Sequence, residues 1–190
     1  MEYEPQQSLV YLGLGANAGN RLANLRSGLR RLSCTMIVER VSSLYETDPV
    51  GPIEQPPYFN AVCSARTDLE PHSLLQVVKQ IEWSLGRRAG PVWGPRPLDI
   101  DILIYGDSRI DLPDLQVPHA RLADRSFVLC PLAELAPDLL VPGIGRSVKA
   151  LSAQIGAGGV RLLSPPGWEK GDNWLEARAS TSAGHFSQLL

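Results

Sequence analysis

The chain has 190 residues and a mass of 20.7 kDa, 44% hydrophobic and 20% charged, which suits one packed domain and excludes general disorder. A formal net charge of −2 and a pI near 5.9 exclude a whole-chain basic footprint for nucleic acid. Glycine (17) and proline (16) are in excess, yet without a G-x-y period, so a collagen helix is excluded too.

The acidic start Met1–Pro5 does not read as a signal peptide, and no apolar run reaches the roughly 18 residues of a membrane span. Cys34, Cys63 and Cys130 are widely spaced and form no CxxC. They read as core or half-buried thiols in a reducing cytosol, not as zinc ligands or a disulfide framework.

Ser8–Gly15 alternates Val10, Leu12 and Leu14 with Tyr11 and Gly13, a strand pattern. Asn20–Ser33 spaces Leu22, Leu25, Leu29 and Leu32 as an amphipathic helix. Met36–Tyr45 is rich in β-branched residues and reads as one strand. A first proline cluster, Pro49–Pro57, follows as a shaped loop. Tyr58–Asp68 alternates again, with Phe59, Ala61, Cys63 and Ala65 on one side. Pro71 opens a helix whose stripe is Leu74, Leu75, Val78, Ile81 and Leu85, and Gly86 stops it. A second proline cluster, Pro91–Pro97, leads into the strand Leu98–Tyr105. A turn at Gly106-Asp107, a short strand over Arg109–Leu112, a helix over Phe127–Leu135 and a last short helix carrying Val148, Leu151 and Ile155 complete the order. The fold class is α+β: a ferredoxin-like βαββαβ plait with an antiparallel sheet and extra C-terminal helices. One domain is expected over 8–163. The rest, 164–190, is expected to be a mostly disordered extension, with Trp168 and Trp174 able to dock.

Leu98-Asp99-Ile100-Asp101-Ile102-Leu103-Ile104 carries the most chemistry. Period-two alternation puts Ile100, Ile102 and Ile104 on one face and Asp99 and Asp101 on the other, the carboxylates about 6–7 Å apart. Two such groups repel unless a cation sits by them, and hard oxygen ligands suit Mg²⁺ with phosphate. Arg87, Arg88 and Arg96 lie just upstream and suit a polyphosphate clamp.

Gly13-Leu14-Gly15-Ala16-Asn17-Ala18-Gly19 mimics a dinucleotide loop, but no helix separates the next two strands, and the plainer reading is a tight strand-to-helix turn. His72 reads as a surface residue. No P-loop, GxSxG or HExxH motif is present.

Several ordered blocks between Val10 and Leu163 carry a family resemblance. They are Gly13–Asn17, Thr47-Asp48-Pro49-Val50-Gly51-Pro52, Gln55–Asn60, Trp93-Gly94-Pro95-Arg96-Pro97-Leu98-Asp99-Ile100-Asp101, Val117-Pro118-His119 and Arg125-Ser126-Phe127. Together the chain resembles the 6-hydroxymethyl-7,8-dihydropterin pyrophosphokinase family of folate biosynthesis. The resemblance implies transfer of pyrophosphate from ATP to the pterin's hydroxymethyl oxygen, with AMP released. It implies that Asp99 and Asp101 hold two Mg²⁺ ions and that Arg87 and Arg96 act with them in catalysis. Asn60 would bind the pterin edge, helped by backbone groups near Thr47 and Val50, with Tyr58 and Phe127 stacking on the ring and Trp93 closing over it. Arg88, Arg96 and Arg125 would bind ATP phosphates beside His119, with Glu82 and the Ile102 backbone toward the nucleotide. The implied setting is cytoplasmic and monomeric, with ATP and the pterin as partners and neither nucleic acid nor membrane. The chain departs from the family pattern at Ala16, at Ala120 and in the loop Gly86–Trp93, which is one residue shorter and carries Val92 where an arginine is usual. Two rivals stay open: an RNA-binding module on the same plait and another metal-dependent nucleotidyltransferase.

Overall fold

The computed structural model describes residues 7–49, 54–88 and 94–170. Its main sheet is antiparallel. Strands β1 (Ser8–Ala16), β2 (Ile37–Val41), β3 (Leu44–Thr47), β4 (Tyr58–Thr67), β5 (Asp99–Tyr105) and β8 (Val160–Ser164) form it. The spatial order is β5-β1-β4-β3-β8, and β2 pairs with the far half of β4. Strands β6 (Ile110–Asp111) and β7 (Gln116–Val117) make a separate small ribbon.

Helices α1 (Arg21–Leu32) and α2 (Pro71–Ser84) cover one face of the sheet. Asn20 caps α1 by accepting from the Ala23 N–H, and Leu25, Leu29 and Leu32 are fully buried beneath it. Helix α2 starts on Pro71, whose missing N–H costs nothing there, and buries Leu74, Val78 and Ile81. Helices α3 (Ser126–Leu135) and α4 (Val148–Ile155) pack on the other face around Tyr11, Val62, Leu103 and Ile104. The sheet is thus sandwiched between two apolar layers. None of the helices among the described residues is long and apolar enough to cross a membrane.

Four expectations change. Met36–Tyr45 is two strands, because Ser42 and Ser43 interrupt the ladder; the buried Ser42 hydroxyl accepts from the Val62 N–H and donates to the Ser43 carbonyl. The alternation of β5 breaks where the register with β1 shifts: Leu12 faces Ile102 but Tyr11 faces Ile104. Ile104 therefore joins Leu103 in the α3–α4 layer, while Ile100 and Ile102 stay in the other. Cys34 is exposed, whereas Cys63 is buried and Cys130 half-buried. Finally, the chain beyond Leu163 contributes to the packed unit: β8 runs to Ser164, and Trp168 is buried in the α1–α2 core. The Trp168 indole N–H donates to the Ser42 carbonyl at 2.9 Å, and Arg26 reaches the Trp168 carbonyl through two nitrogens. Trp174 lies outside the described residues.

Candidate active site

The strand register builds the floor of the site. Gly15 of β1 lies opposite Asp99 of β5 on one side and Asn60 of β4 on the other. Two residues along, Gly13 lies between Asp101 and Val62. Directly opposed residues share a face, so the two carboxylates, the two glycines and Asn60 look out on one side. A cleft of about 340 Å³ opens there, at the edge of the α3–α4 layer. A Cβ on Gly15 would sit 3.2 Å from Asn60 Oδ1 and 3.7 Å from the Tyr58 ring. Both glycines lie in β1, as the alternation over Ser8–Gly15 predicts, and keep the cleft floor low; of the block Gly13–Gly19, the strand-to-helix turn takes only its end, at Gly19, whose φ is +64°.

Asp99 and Asp101 line the cleft with half-exposed side chains. Arg87 Nη1 donates to Asp99 Oδ1 at 2.6 Å, and Arg96 Nη1 to the same carboxylate at 3.2 and 3.3 Å. Burial raises the Asp99 pKa, but Arg87 and then Arg96 outweigh it and hold the carboxyl below its ordinary 3.8. Arg125 Nη1 lies 3.3 Å from Asp101 Oδ2.

Helix α2 delivers Arg87. Gly86, at φ +97°, turns the chain back, and the Arg87 N–H donates to the Glu82 carbonyl. Glu82 itself is 1% exposed and lies behind the cleft, not in it. Its carboxylate accepts from the Ile100 N–H at 2.7 Å and from Lys79, and pairs with Arg87. Burial pushes the Glu82 carboxyl above its ordinary 4.5, with the Ile100 N–H opposing. Glu82 thereby ties α2, β5 and Arg87 together.

The second proline loop is pinned by Asn17, which is 1% exposed. Asn17 Oδ1 accepts from the Arg96 N–H at 2.8 Å, and the N–H groups of Asn17 and Ala18 donate to the Arg96 carbonyl. Asn17 Nδ2 donates to Gln55 Oε1 and to the Pro56 carbonyl. One amide therefore joins the end of β1 to both proline loops.

On the other flank, Asn60 is buried and donates to Thr47 Oγ1 at 2.7 Å. Tyr58 and Phe127 line the cleft as expected stacking partners, and burial raises the Tyr58 pKa. Arg125 lies over the Phe127 ring at 5.5 Å. His119 Nδ1 accepts from the Arg121 N–H, leaving Nε2 3.9 Å from Asp101 Oδ2. Burial pushes His119 below its ordinary 6.5, with Asp101 opposing.

The structure thus brings Arg87, Arg96, Asp99, Asp101, Arg125, Tyr58, Asn60 and Phe127 around one cleft. Thr47, Glu82 and His119 stand one step behind cleft residues that they touch. Arg88 turns outward, donating to the Trp83 carbonyl and stacking on its ring, and the Ile102 side chain sits in the core. Val50 and Trp93 lie outside the described residues. Sequence reasoning gave no role to Asn17, or to Lys79, Arg121 and Asp48, which also line the cleft. Lys79 stands three residues before Glu82 on α2, and Arg121 two after His119, so each had a motif neighbour as a signal.

Five basic side chains (Lys79, Arg87, Arg96, Arg121, Arg125) face three carboxylates (Asp48, Asp99, Asp101). The cleft is locally basic in a chain of net charge −2. Among the described residues, no group of three or more His, Cys, Asp or Glu is arranged to hold a metal. The protein offers two neighbouring carboxylates already facing cations, a donor set that fits Mg²⁺ completing its shell with phosphate oxygens and water.

Fold and site define a class: an α+β protein with an antiparallel sheet and a cleft where an acidic strand meets an arginine cluster. The family model of 7,8-dihydro-6-hydroxymethylpterin-pyrophosphokinase (HPPK) matches residues 11–137, and the chain belongs to that family. It is 43% identical to a Pseudomonas aeruginosa 2-amino-4-hydroxy-6-hydroxymethyldihydropteridine pyrophosphokinase, over 81% of this chain and 96% of that one. A mitochondrial folate synthesis bifunctional protein of Arabidopsis thaliana is 48% identical over 71% of this chain, which spans only 24% of that relative's length. Plasmodium falciparum HPPK-DHPS with pterin and p-hydroxybenzoate superposes at a TM-score of 0.64 and 16% identity, covering 81% of this chain and 42% of that one. At that identity the likeness concerns the fold.

Proposed function

We propose that this chain transfers the β,γ-pyrophosphoryl group of ATP to the hydroxymethyl oxygen of 6-hydroxymethyl-7,8-dihydropterin, releasing AMP. The observation that carries this reading is one strand row: Asp99, Gly15 and Asn60 side by side on the cleft floor. It sets a phosphate-side carboxylate next to an amide that can read a pterin edge. The strand order supports reading the core as a ferredoxin-like plait with α3 and α4 added.

Two Mg²⁺ ions held by Asp99 and Asp101 would supply charge neutralisation on the polyphosphate. Asn60 binds the pterin's donor–acceptor edge, with Thr47 fixing its amide so that Oδ1 faces the cleft floor. Tyr58 and Phe127 sandwich the ring; Val50 and Trp93, which the family resemblance assigns to the same substrate, lie outside the described residues. Arg87 and Arg96 share Asp99 in the free protein and turn toward phosphate oxygens when ATP arrives. Arg125, beside His119 and Asp101, and Arg121 extend the same field. The hydroxymethyl oxygen attacks the β-phosphorus in line. The bond from the β-phosphorus to the α,β-bridging oxygen breaks, AMP leaves with that oxygen, the hydroxymethyl proton passes to solvent, and the arginines stabilise the charge that develops. Three unpaired thiols support placing the chain in the reducing cytoplasm, and we assign it a monomeric state.

An assay with ATP, Mg²⁺ and the pterin alcohol tests the reading. AMP and the pterin pyrophosphate should appear in equal amounts. ADP in place of AMP, or no turnover, would overturn it.

A further inference from the structure

On the sheet face turned away from the cleft, one row crosses four strands. Ala16 of β1 opposes Phe59 of β4, Phe59 opposes Glu46 of β3, and Glu46 opposes Arg161 of β8. Arg21, the first residue of α1, lies over this row. Its guanidinium carbon is 3.8 Å from the centre of the Phe59 ring. Its Nη1 donates to the Pro57 carbonyl at 2.7 Å and to Glu46 Oε1 at 3.2 Å. The other Glu46 oxygen accepts from Arg161 Nη2 at 2.7 Å. Arg21 and Glu46 are largely buried, with side chains 26% and 18% exposed, while Arg161 is 61% exposed. None of the three lines the cleft.

Sequence neighbours of this row line the cleft or hold a residue that does. Phe59 stands between Tyr58 and Asn60, and Glu46 precedes Thr47, whose hydroxyl holds the Asn60 amide. Strand side chains alternate, so a grip on Phe59 and Glu46 from behind fixes the height and tilt of Tyr58 and Asn60 in front. Arg21 adds a third hold, on the carbonyl of Pro57, where the first proline loop enters β4. A planar guanidinium meets all three demands at once, stacking on a ring while its N–H groups reach a carbonyl and a carboxylate; an ammonium does not stack in this way.

We infer that Arg21, with Glu46, is a positioning residue for the pterin half of the site, acting through Pro57 and Phe59 on Tyr58 and Asn60. The inference rests on the proposed function. Among the described residues, the clasp's hydrogen bonds and ring contact run to Pro57, Phe59 and Glu46, and none of them goes to Asp99, Asp101 or the arginines around them. Loss of the clasp should therefore appear on one substrate only.

Steady-state kinetics with each substrate varied separately test it. Arg21→Ala should raise KM for the pterin alcohol about tenfold, equivalent to about 1.4 kcal/mol. KM for ATP and kcat should stay within about twofold. Arg21→Lys keeps the charge but not the stack, and should recover only part of the loss. Glu46→Gln keeps the shape, folds if Arg21→Ala does not, and should shift the same KM in the same direction by a smaller factor. Equal losses on both substrates, as from a merely structural role, or an unchanged pterin KM in both variants would overturn the inference. If the wild-type chain makes no pterin pyrophosphate, the proposed function fails and takes this inference with it. If the wild type turns over and the variants match it, only the positioning role fails.

Discussion

Asp99 and Asp101, the proposed metal ligands, stand in different environments. Asp99 shares two guanidinium groups and stays ionised through the neutral range, since Arg87 and Arg96 outweigh the burial that would raise its pKa. Asp101 has Arg125 at 3.3 Å and His119 at 3.9 Å. Asp99→Ala or Asp101→Ala should reduce turnover to background while leaving circular dichroism close to wild type, because both side chains face the cleft and neither belongs to the buried apolar clusters. Activity retained in both variants would refute the metal assignment. Strand alternation made this pair legible in the sequence. Glu82 was not legible in the same way. No local pattern tells a solvated helix glutamate from one that accepts the Ile100 N–H across an interface. Asn17 likewise sat in a recognisable block, but its two-loop role depends on residues 38 and 79 positions away, which only the fold brings near.

At the scale of elements, the sequence showed where strands and helices lie better than where they break. The pause at Ser42-Ser43 carries a hydrogen-bonding logic that β-propensity does not report. The register shift in β5 divides three isoleucines that simple alternation groups together. Strand β8 was missed, and Trp168 was legible only as a residue able to dock, because their partners, β3 and Ser42, lie far away in sequence. Trp168 is 6% exposed and also holds Arg26 through its carbonyl. Trp168→Ala should cost about 3–5 kcal/mol of stability, read by urea denaturation, through cavity formation and a lost hydrogen bond. A cost under about 1 kcal/mol would mean that the C-terminal segment contributes little to the fold. Gly86 offers a sharper link from element to function. Its φ of +97° is open to glycine and strained for alanine, and it aims Arg87 at Asp99. Gly86→Ala should destabilise by about 1–2 kcal/mol and lower kcat/KM for ATP well below wild type at a temperature where both proteins are folded.

Across the whole molecule, charge is sorted by place: an acidic chain overall, with arginines gathered in the cleft and in the clasp behind it. This arrangement sets how the fold responds to acid. Glu46 is held below its ordinary 4.5, first by the Arg161 hydrogen bond, with burial opposing and Arg21 adding to the effect. A carboxyl depressed in the folded state contributes stability that is present above its unfolded pKa and is lost as pH falls through the folded value. Asp99, held below 3.8, acts in the same sense. His119, pushed below 6.5 mainly by burial, starts the decline earlier, because the unfolded chain takes up a proton there that the folded one resists. Glu82 works against the trend: its raised pKa means that protonation in acid relieves a cost of burial. His119, Glu46 and Asp99 each lose stability as pH falls, so the unfolding free energy should fall in stages, first below about pH 6.5 and then below about pH 4.5. Denaturant titrations at about pH 7, pH 5.5 and pH 3 separate the steps. His119→Asn should remove most of the first, and Glu46→Gln should lower stability near pH 7 yet shrink the second, since its amide has no proton to gain. A Glu46→Gln protein that kept the full wild-type loss between about pH 5.5 and pH 3 would place the acid sensitivity elsewhere, with Asp99 the next carboxyl to test.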